Sequence, residues 1–201
     1  MVIILATGNR DKVREIKKIW RGIRELKLDW SGKYSSLKPV KETGNTIKEN
    51  ASLKSEYVTD TLKKPAVADD TGLFVKYLNG KPGVYSARYA GSNATYEDNI
   101  NKLLKDLKGV PKRKRYAEFR TTVAFSRAGK KTLFTRGVAK GYITKNRRGK
   151  NGFGYDPVFE MKDLKKTFGQ MSTEKKNRVS HRYKAFKNME NLIKREVAQL
   201  G

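Results

Sequence analysis

The chain opens on an unbroken apolar run, Val2-Ile3-Ile4-Leu5-Ala6, followed at once by Thr7-Gly8-Asn9 and then by Val13, Ile16, Ile19 and Trp20 at helical spacing. A run with no polar alternation is a buried strand. The glycine-bearing turn after it leads into a helix predicted over about residues 11–20. A buried strand feeding a helix points to a sheet with helices packed on it. The rest of the chain agrees. A helix is predicted over 46–62, with Ile47, Ala51, Leu53, Val58 and Leu62 turned inward. "PAVADD" reads as a short strand ending in acids and "GLFVKYL" as a further strand or hairpin arm. A third helix falls at about 95–107. "AEFRTTVAFSR" and "KTLFTRGVAKGYI" alternate as half-exposed antiparallel strands do, and a last helix runs from about Ser180 to Leu200. The sum is an α/β chain with a mixed sheet, in which the strand block at about 112–150 contributes a second lobe.

At 201 residues the chain can bury roughly 70% of its unfolded surface and needs no covalent staples. The absence of cysteine excludes disulfides, thiolate metal sites and a cysteine nucleophile, and is compatible with a reducing cytoplasm. The apolar N-terminus has no basic region before it and no cleavage-type continuation, so it reads as a strand and not as a signal peptide. No apolar run approaches the ~20 residues of a membrane span.

Lys and Arg number 46 against 20 Asp and Glu, a formal net charge of +26. Such a field attracts nucleic acid and other polyanions without sequence preference. The basic residues are spread along the chain, at Lys63-Lys64, Lys112 to Arg115, Lys145 to Lys150 and Lys162 to Lys166. That distribution favours a solvated basic surface over a dedicated groove, and leaves open a surface charge altered deliberately.

Four stretches can carry chemistry. In "TGNRDK" a turn at a helix N-terminus presents backbone N–H groups and the positive helix end to a phosphate, with Asn9 adding an amide and Lys12 a point charge. The alternative is a plain strand-to-helix turn. Glu42, Glu49, Asp69 and Asp70 form an acid set in an acid-poor chain. Carboxylates from a loop, a helix and a strand end can hold Mg²⁺, one of them orienting or deprotonating a water. Taken singly, each is as well explained by a turn or a helix N-terminus. "EKKNRVSHR" holds the sole histidine, His181, beside Arg182 and five residues after Lys176. Ser180 can cap the helix there, leaving donors suited to carbonyl or phosphate oxygens. "NGFGYDPVFE" is either a turn or a rigid ligand loop, since Pro157 breaks it as a central strand.

Together "ILATGNRDKVREI", "ETGNTIKENASLK", "AVADDTGLFVKYLNGKPGVYSARYAG", "RRGKNGFGYDPVF" and "EKKNRVSHRYKA" resemble, in order and spacing, the Ham1/inosine triphosphatase family of noncanonical purine nucleoside triphosphate pyrophosphatases. The resemblance runs from residue 3 to about residue 187. It implies one domain over 1–201, an elongated mixed β-sheet with flanking helices forming two lobes around a central active-site cleft, and a cytoplasmic homodimer. It also implies Mg²⁺-dependent hydrolysis of ITP, dITP and XTP to the monophosphate and pyrophosphate. On that resemblance Thr7, Gly8, Asn9 and Lys12 hold the triphosphate with help from Lys54. Asp70 binds metal and activates water, Asp69, Glu42 and Glu49 support it, and Thr71 adds a hydroxyl. Phe153 stacks on the purine, Gly154, Tyr155 and Asp156 shape the base pocket, and Lys176, His181 and Arg182 read the 6-oxo group. Acids common in the family are replaced here by Lys41, Lys48, Lys140, Gln170 and Lys175. Lys41, beside Glu42, is expected to weaken metal affinity, and the other four replacements predict exposed positions. The alternative reading they support is an engineered cationic scaffold on this fold that binds or packages nucleic acid or other polyanions.

Overall fold

The computed structural model describes residues 1–21 and 26–198. In chain order the principal elements are β1 (Val2–Leu5), α1 (Arg10–Ile19), β2 (Lys27–Trp30), α2 (Ile47–Leu62), β3 (Ala66–Val75), β4 (Pro82–Gly83), α3 (Tyr96–Asp106), β5 (Tyr116–Ser126), β6 (Leu133–Ile143), β7 (Phe159–Met161), α4 (Thr173–Val179) and α5 (His181–Ala198). The strands follow the order β2-β1-β3-β5-β6-β7, with β4 paired to β3. This is the mixed α/β sheet the sequence predicts. Two compact units divide the chain. The first takes Met1–Asp70, Thr121–Gly137 and the segment from Arg182, and the second takes Thr71–Arg120 and Val138–His181. The 112–150 strand block is thus shared between both units.

In the first unit β1 pairs in parallel with β2 (Val2 opposite Lys27) and with β3 (Ile4 opposite Ala66). Side chains alternate faces along a strand, and both faces of β1 are covered. Ile3 and Leu5 pack with Val67 against Val13, Ile16 and Trp20 of the α1 segment and Phe186, Met189 and Ile193 of α5. Ile4 and Ala6 pack with Ala66 and Ala68 against Val58 of α2. Burial of each large aliphatic side chain here contributes about 1.5–3 kcal/mol. The same alternation governs the site, because Asp69 follows Val67 on one face and Asp70 follows Ala68 on the other.

In the second unit Leu73 and Val75 of β3, Ile100, Leu103 and Leu107 of the α3 segment, and Phe119, Phe159 and Phe168 close one core. The three phenylalanines contact one another at centroid separations of 4.7–6.0 Å. β6 and β7 pair antiparallel, with Tyr142 opposite Glu160. At Gly72 a side chain would meet the Gly83 carbonyl oxygen at 2.6 Å, so the glycine after the acids lets β4 lie against β3.

Three expectations are corrected. "PAVADD" and "GLFVKYL" form one ten-residue strand, β3, so Asp69 and Asp70 sit in its middle and not at its end. Leu53 is exposed, because the inner face of α2 is set by Asn50, Ala51, Lys54, Ser55, Val58 and Thr59, and Leu53 lies two residues, about 200° of helix turn, from Ala51. The stretch before Ser180 forms a short helix of its own, α4, which the sequence reading leaves out, and Ser180 stands between it and α5, directly before His181. The predicted last helix is α5, and positions 199–200 of that prediction lie outside the described residues. No helix among the described residues is long and apolar enough to cross a membrane.

Candidate active site

The first unit gathers three cations around the two central aspartates. On one face of β3 the Asp69 carboxylate, wholly buried, meets the Lys12 ammonium at 3.1 Å and the Arg182 guanidinium at 3.3 Å. Arg182 also pairs with buried Glu15 at 2.8 Å. On the opposite face Asp70 lies 3.6 Å from the Lys54 ammonium and accepts a hydrogen bond from the Asn50 amide at 3.2 Å. Lys54 is itself 2.6 Å from Glu42. Lys54 and Asn50 come from one face of α2 because they are four residues apart. These neighbours drive the two adjacent carboxyls in opposite directions. Burial acts to raise Asp69, but Lys12, Arg182 and Lys54 outweigh it and hold the group below the usual carboxylate range. Burial raises Asp70 above that range against the pull of Lys54 and Lys12, with Glu42 and Asp69 adding to the rise. For Lys54, burial is outweighed by Asp70, Glu42 and Asp69, which keep it protonated.

The predicted phosphate turn is built at the N-terminus of α1. Asn9 caps the helix, its side-chain oxygen accepting from the Asp11 and Lys12 N–H groups. Its carbonyl is therefore spent on the helix, with the Thr7 hydroxyl oxygen accepting the Asn9 N–H behind it. Trp30 anchors the turn by donating its indole N–H to the Thr7 carbonyl at 2.7 Å. A Cβ at Gly8 would meet nothing within 4 Å, so the turn is open on that side. Glu49 is exposed, and its carboxylate accepts the Asn45 N–H at 2.7 Å.

The second unit holds the aromatic residues. Asp156, buried, accepts the Phe153 N–H at 2.9 Å and the Lys176 ammonium at 2.6 Å. The loop can close this way because Gly152 has φ +79°, where a Cβ would strike the Asp156 carboxylate at 1.9 Å. Lys176 also sits 4.8 Å from the centroid of the Phe153 ring, which has Tyr96 of α3 as an aromatic neighbour at 6.0 Å. Tyr155 turns into the core and donates its hydroxyl to the Ser86 carbonyl, so it braces the loop from beneath. His181 is buried and stacks on Phe119 at 4.5 Å and 13°. Thr71 is half-buried on β3 directly after Asp70, and Gly154 has φ +59° with open space where a Cβ would stand.

The sequence model of the Ham1 family matches residues 3–192. The chain belongs to the Ham1 family. A dITP/XTP pyrophosphatase of Thermoanaerobacter pseudethanolicus is 47% identical over 193 residues, 96% of each chain. The dITP/XTP pyrophosphatase of Bacillus subtilis is 42% identical over 190 residues, 94% of this chain and 96% of its own. The solved structure of the Staphylococcus aureus Ham1 protein superimposes with a TM-score of 0.87 at 38% identity, covering 98% of this chain and all of that one. None of these findings supports an engineered scaffold.

Within the Ham1 framework, Lys176 and His181 belong to the second unit, whereas Arg182 opens the C-terminal segment of the first and commits its guanidinium to Glu15 and Asp69. Glu15 and Asn50 escape sequence reading, since an acid in a largely basic helix and an asparagine in a polar one carry no local signal. Tyr96 escapes it as well, being a helix-start residue whose neighbour, Phe153, is remote in sequence. The acid replacements Lys48, Lys140, Gln170 and Lys175 are exposed as predicted, and Lys41 is exposed as well.

Proposed function

We propose that this chain hydrolyses the noncanonical purine nucleoside triphosphates dITP, XTP and ITP to the monophosphate and pyrophosphate, with Mg²⁺ as cofactor. The observation that carries the reading is the adjacent pair Asp69 and Asp70, one carboxyl held down and its neighbour pushed up. Titratable neighbours driven apart in this way divide into a permanent anion and a proton acceptor. The relatives named dITP/XTP pyrophosphatase supply the substrate class.

Mg²⁺ binds through one or two carboxylates together with phosphate oxygens and waters. Glu42 and Asp70, both drawn to the single ammonium of Lys54, are hard oxygen donors of that kind and would hold it. Glu49 is engaged elsewhere, and among the described residues no group of three acidic or histidine side chains forms a metal cluster. When bound, the ion supplies positive charge that offsets the phosphates. The protein's own groups do the rest. Asp70 takes the proton of the attacking water as its oxygen bonds to phosphorus, and the α–β anhydride bond breaks to release pyrophosphate. Lys12 and Lys54 balance phosphate charge, while Asp69 stays ionised and fixes Lys12 and Arg182. Such catalysis is positioning and electrostatics.

Phe153 offers its face to the purine. Lys176, held by Asp156 at 2.6 Å and set over the Phe153 ring, is the N–H donor that a 6-oxo acceptor would meet. A 6-amino group would set donor against donor, which is the basis for rejecting adenine. The same reading carries a homodimer, which light scattering measures directly. The deciding assay is pyrophosphate release from dITP, XTP, ATP and GTP with Mg²⁺ and with EDTA. Preferential release from dITP or XTP, lost in EDTA, is expected. Equal rates on ATP would overturn the substrate assignment, and EDTA-resistant release would overturn the Mg²⁺ requirement.

A further inference from the structure

The outer strand pair of the second unit carries a concentration of cations that nucleotide hydrolysis does not use. β7 ends the strand order and pairs with β6. At one end of this pair the Lys140 carbonyl accepts the Lys162 N–H, and the Met161 N–H reaches the Lys166 carbonyl. The turn 162–166 is thereby set beside Lys140. At the other end the Ile143 N–H donates to the Arg115 carbonyl and the Arg148 N–H to the Pro157 carbonyl. These bonds bring the turn Lys112–Lys114 next to the loop 145–150. Glu160, almost wholly buried on β7, clamps both segments, binding Lys112 at 2.5 Å and Arg148 at 3.0 Å. Lys162 lies two residues on, about 7 Å along the strand, so the cationic segments are neighbours on one edge.

Every lysine and arginine in these segments is exposed, and Glu160 and Asp163 are the acids among them. Arg113, Lys114, Lys145, Lys162, Lys165 and Lys166 make no salt bridge among the described residues. Like charges gathered on one surface repel one another and lower stability until a polyanion or salt neutralises them. The large exposed apolar side chains, Met1, Val2, Leu53, Tyr77, Tyr85 and Tyr96, all lie outside these segments. Among the described residues these segments carry no large exposed apolar side chain of their own, neither a wedge for a bilayer nor a ring on which an unpaired base would stack. Fixed cations without such groups match the phosphates of a duplex. We propose that this edge of the second unit binds the phosphate backbone of a nucleic-acid duplex without reading its sequence.

Anisotropy of a fluorescent mixed-sequence DNA duplex, titrated from about 50 to about 200 mM salt, tests this. Each lost phosphate contact takes about 0.9 off the log–log salt slope. The combined variant Arg113→Gln, Lys145→Gln, Lys162→Gln, Lys166→Gln is expected to lower the slope by about 3–4, and Lys166→Gln alone by about 0.9. A control removing the same charge from the first unit, Lys17→Gln, Lys18→Gln, Lys130→Gln, Lys131→Gln, is expected to leave the slope unchanged. Circular dichroism confirms that each variant folds. Equal loss in the two combined variants would show that net charge alone acts and would overturn the proposal. So would absence of duplex binding by the parent, or retention on phosphatidylserine vesicles without duplex binding.

Discussion

The two units reach opposite solutions to holding a charged group out of water. In the first, three cations (Lys12, Lys54, Arg182) are interleaved with four carboxylates (Glu15, Glu42, Asp69, Asp70). In the second, the ion pair of Lys176 with Asp156 is enclosed by aromatic rings. Desolvated charges survive only when paired and hydrogen-bonded. A network distributes that requirement over many partners and can accept a polyphosphate. An ion pair set among rings has a flat apolar surface beside it. The contrast predicts that damage to the first unit reads out in chemistry and stability, and damage to the second in nucleotide affinity.

The largest effect should come from Asp70→Asn, which removes the proton acceptor while keeping its shape. The turnover of dITP should fall by about 10²–10⁴-fold, the usual worth of a positioned base, with KM and melting temperature little changed. Retained turnover would remove Asp70 from the chemistry. The acid limb of the parent's kcat/KM profile, which reports groups of the free enzyme, should also vanish in this variant. Asp70 must be deprotonated to act, and because its pKa is raised the rate should climb with pH through a value above the ordinary 3.8 and decline below it.

Next comes Asp69→Asn, which leaves Lys12 and Arg182 buried beside a neutral group. Breaking a buried pair costs about 3–5 kcal/mol, read as a shift of the urea midpoint. Because the folded Asp69 pKa is depressed, its contribution to stability is present above the unfolded value of about 4 and is lost as pH falls toward the folded one. Unchanged stability in the variant would show that the network is held together from elsewhere. The smallest effect should be that of Phe153→Ala, which should weaken purine nucleotide binding by about 1–3 kcal/mol without altering the melting temperature. A loss of stability in its place would make Phe153 a core residue and undo the contrast.

Much of the fold is legible in the order of residues along the chain. The strand, turn and helix at the N-terminus, the helices α2 and α3, and the strands β5 and β6 all announce themselves through apolar periodicity and turn residues, as does the mixed α/β class. The glycines of the 151–160 loop mark a tightly turning backbone, and Gly152 does adopt a positive φ to admit Asp156. The short elements are less legible. β2, β7 and α4 carry too few residues for a period to show, and Leu53 breaks the apolar pattern because α2 turns a largely polar face inward to serve Asp70 and Ser126.

What the sequence determined by itself was the class of fold, the family framework and the set of residue types available for chemistry. All of these depend on local order along the chain. What only the tertiary structure decided was partnership. Asp69 and Asp70 are chemically identical neighbours in sequence, yet one step along β3 sends them to opposite faces, toward Lys12 and Arg182 on one side and Lys54 and Asn50 on the other. Their opposite pKa shifts follow from burial, from each other and from partner charges as far as 113 residues away, which no periodicity encodes. A carboxylate's task is set by the field of its neighbours, and those neighbours exist only once the chain has folded.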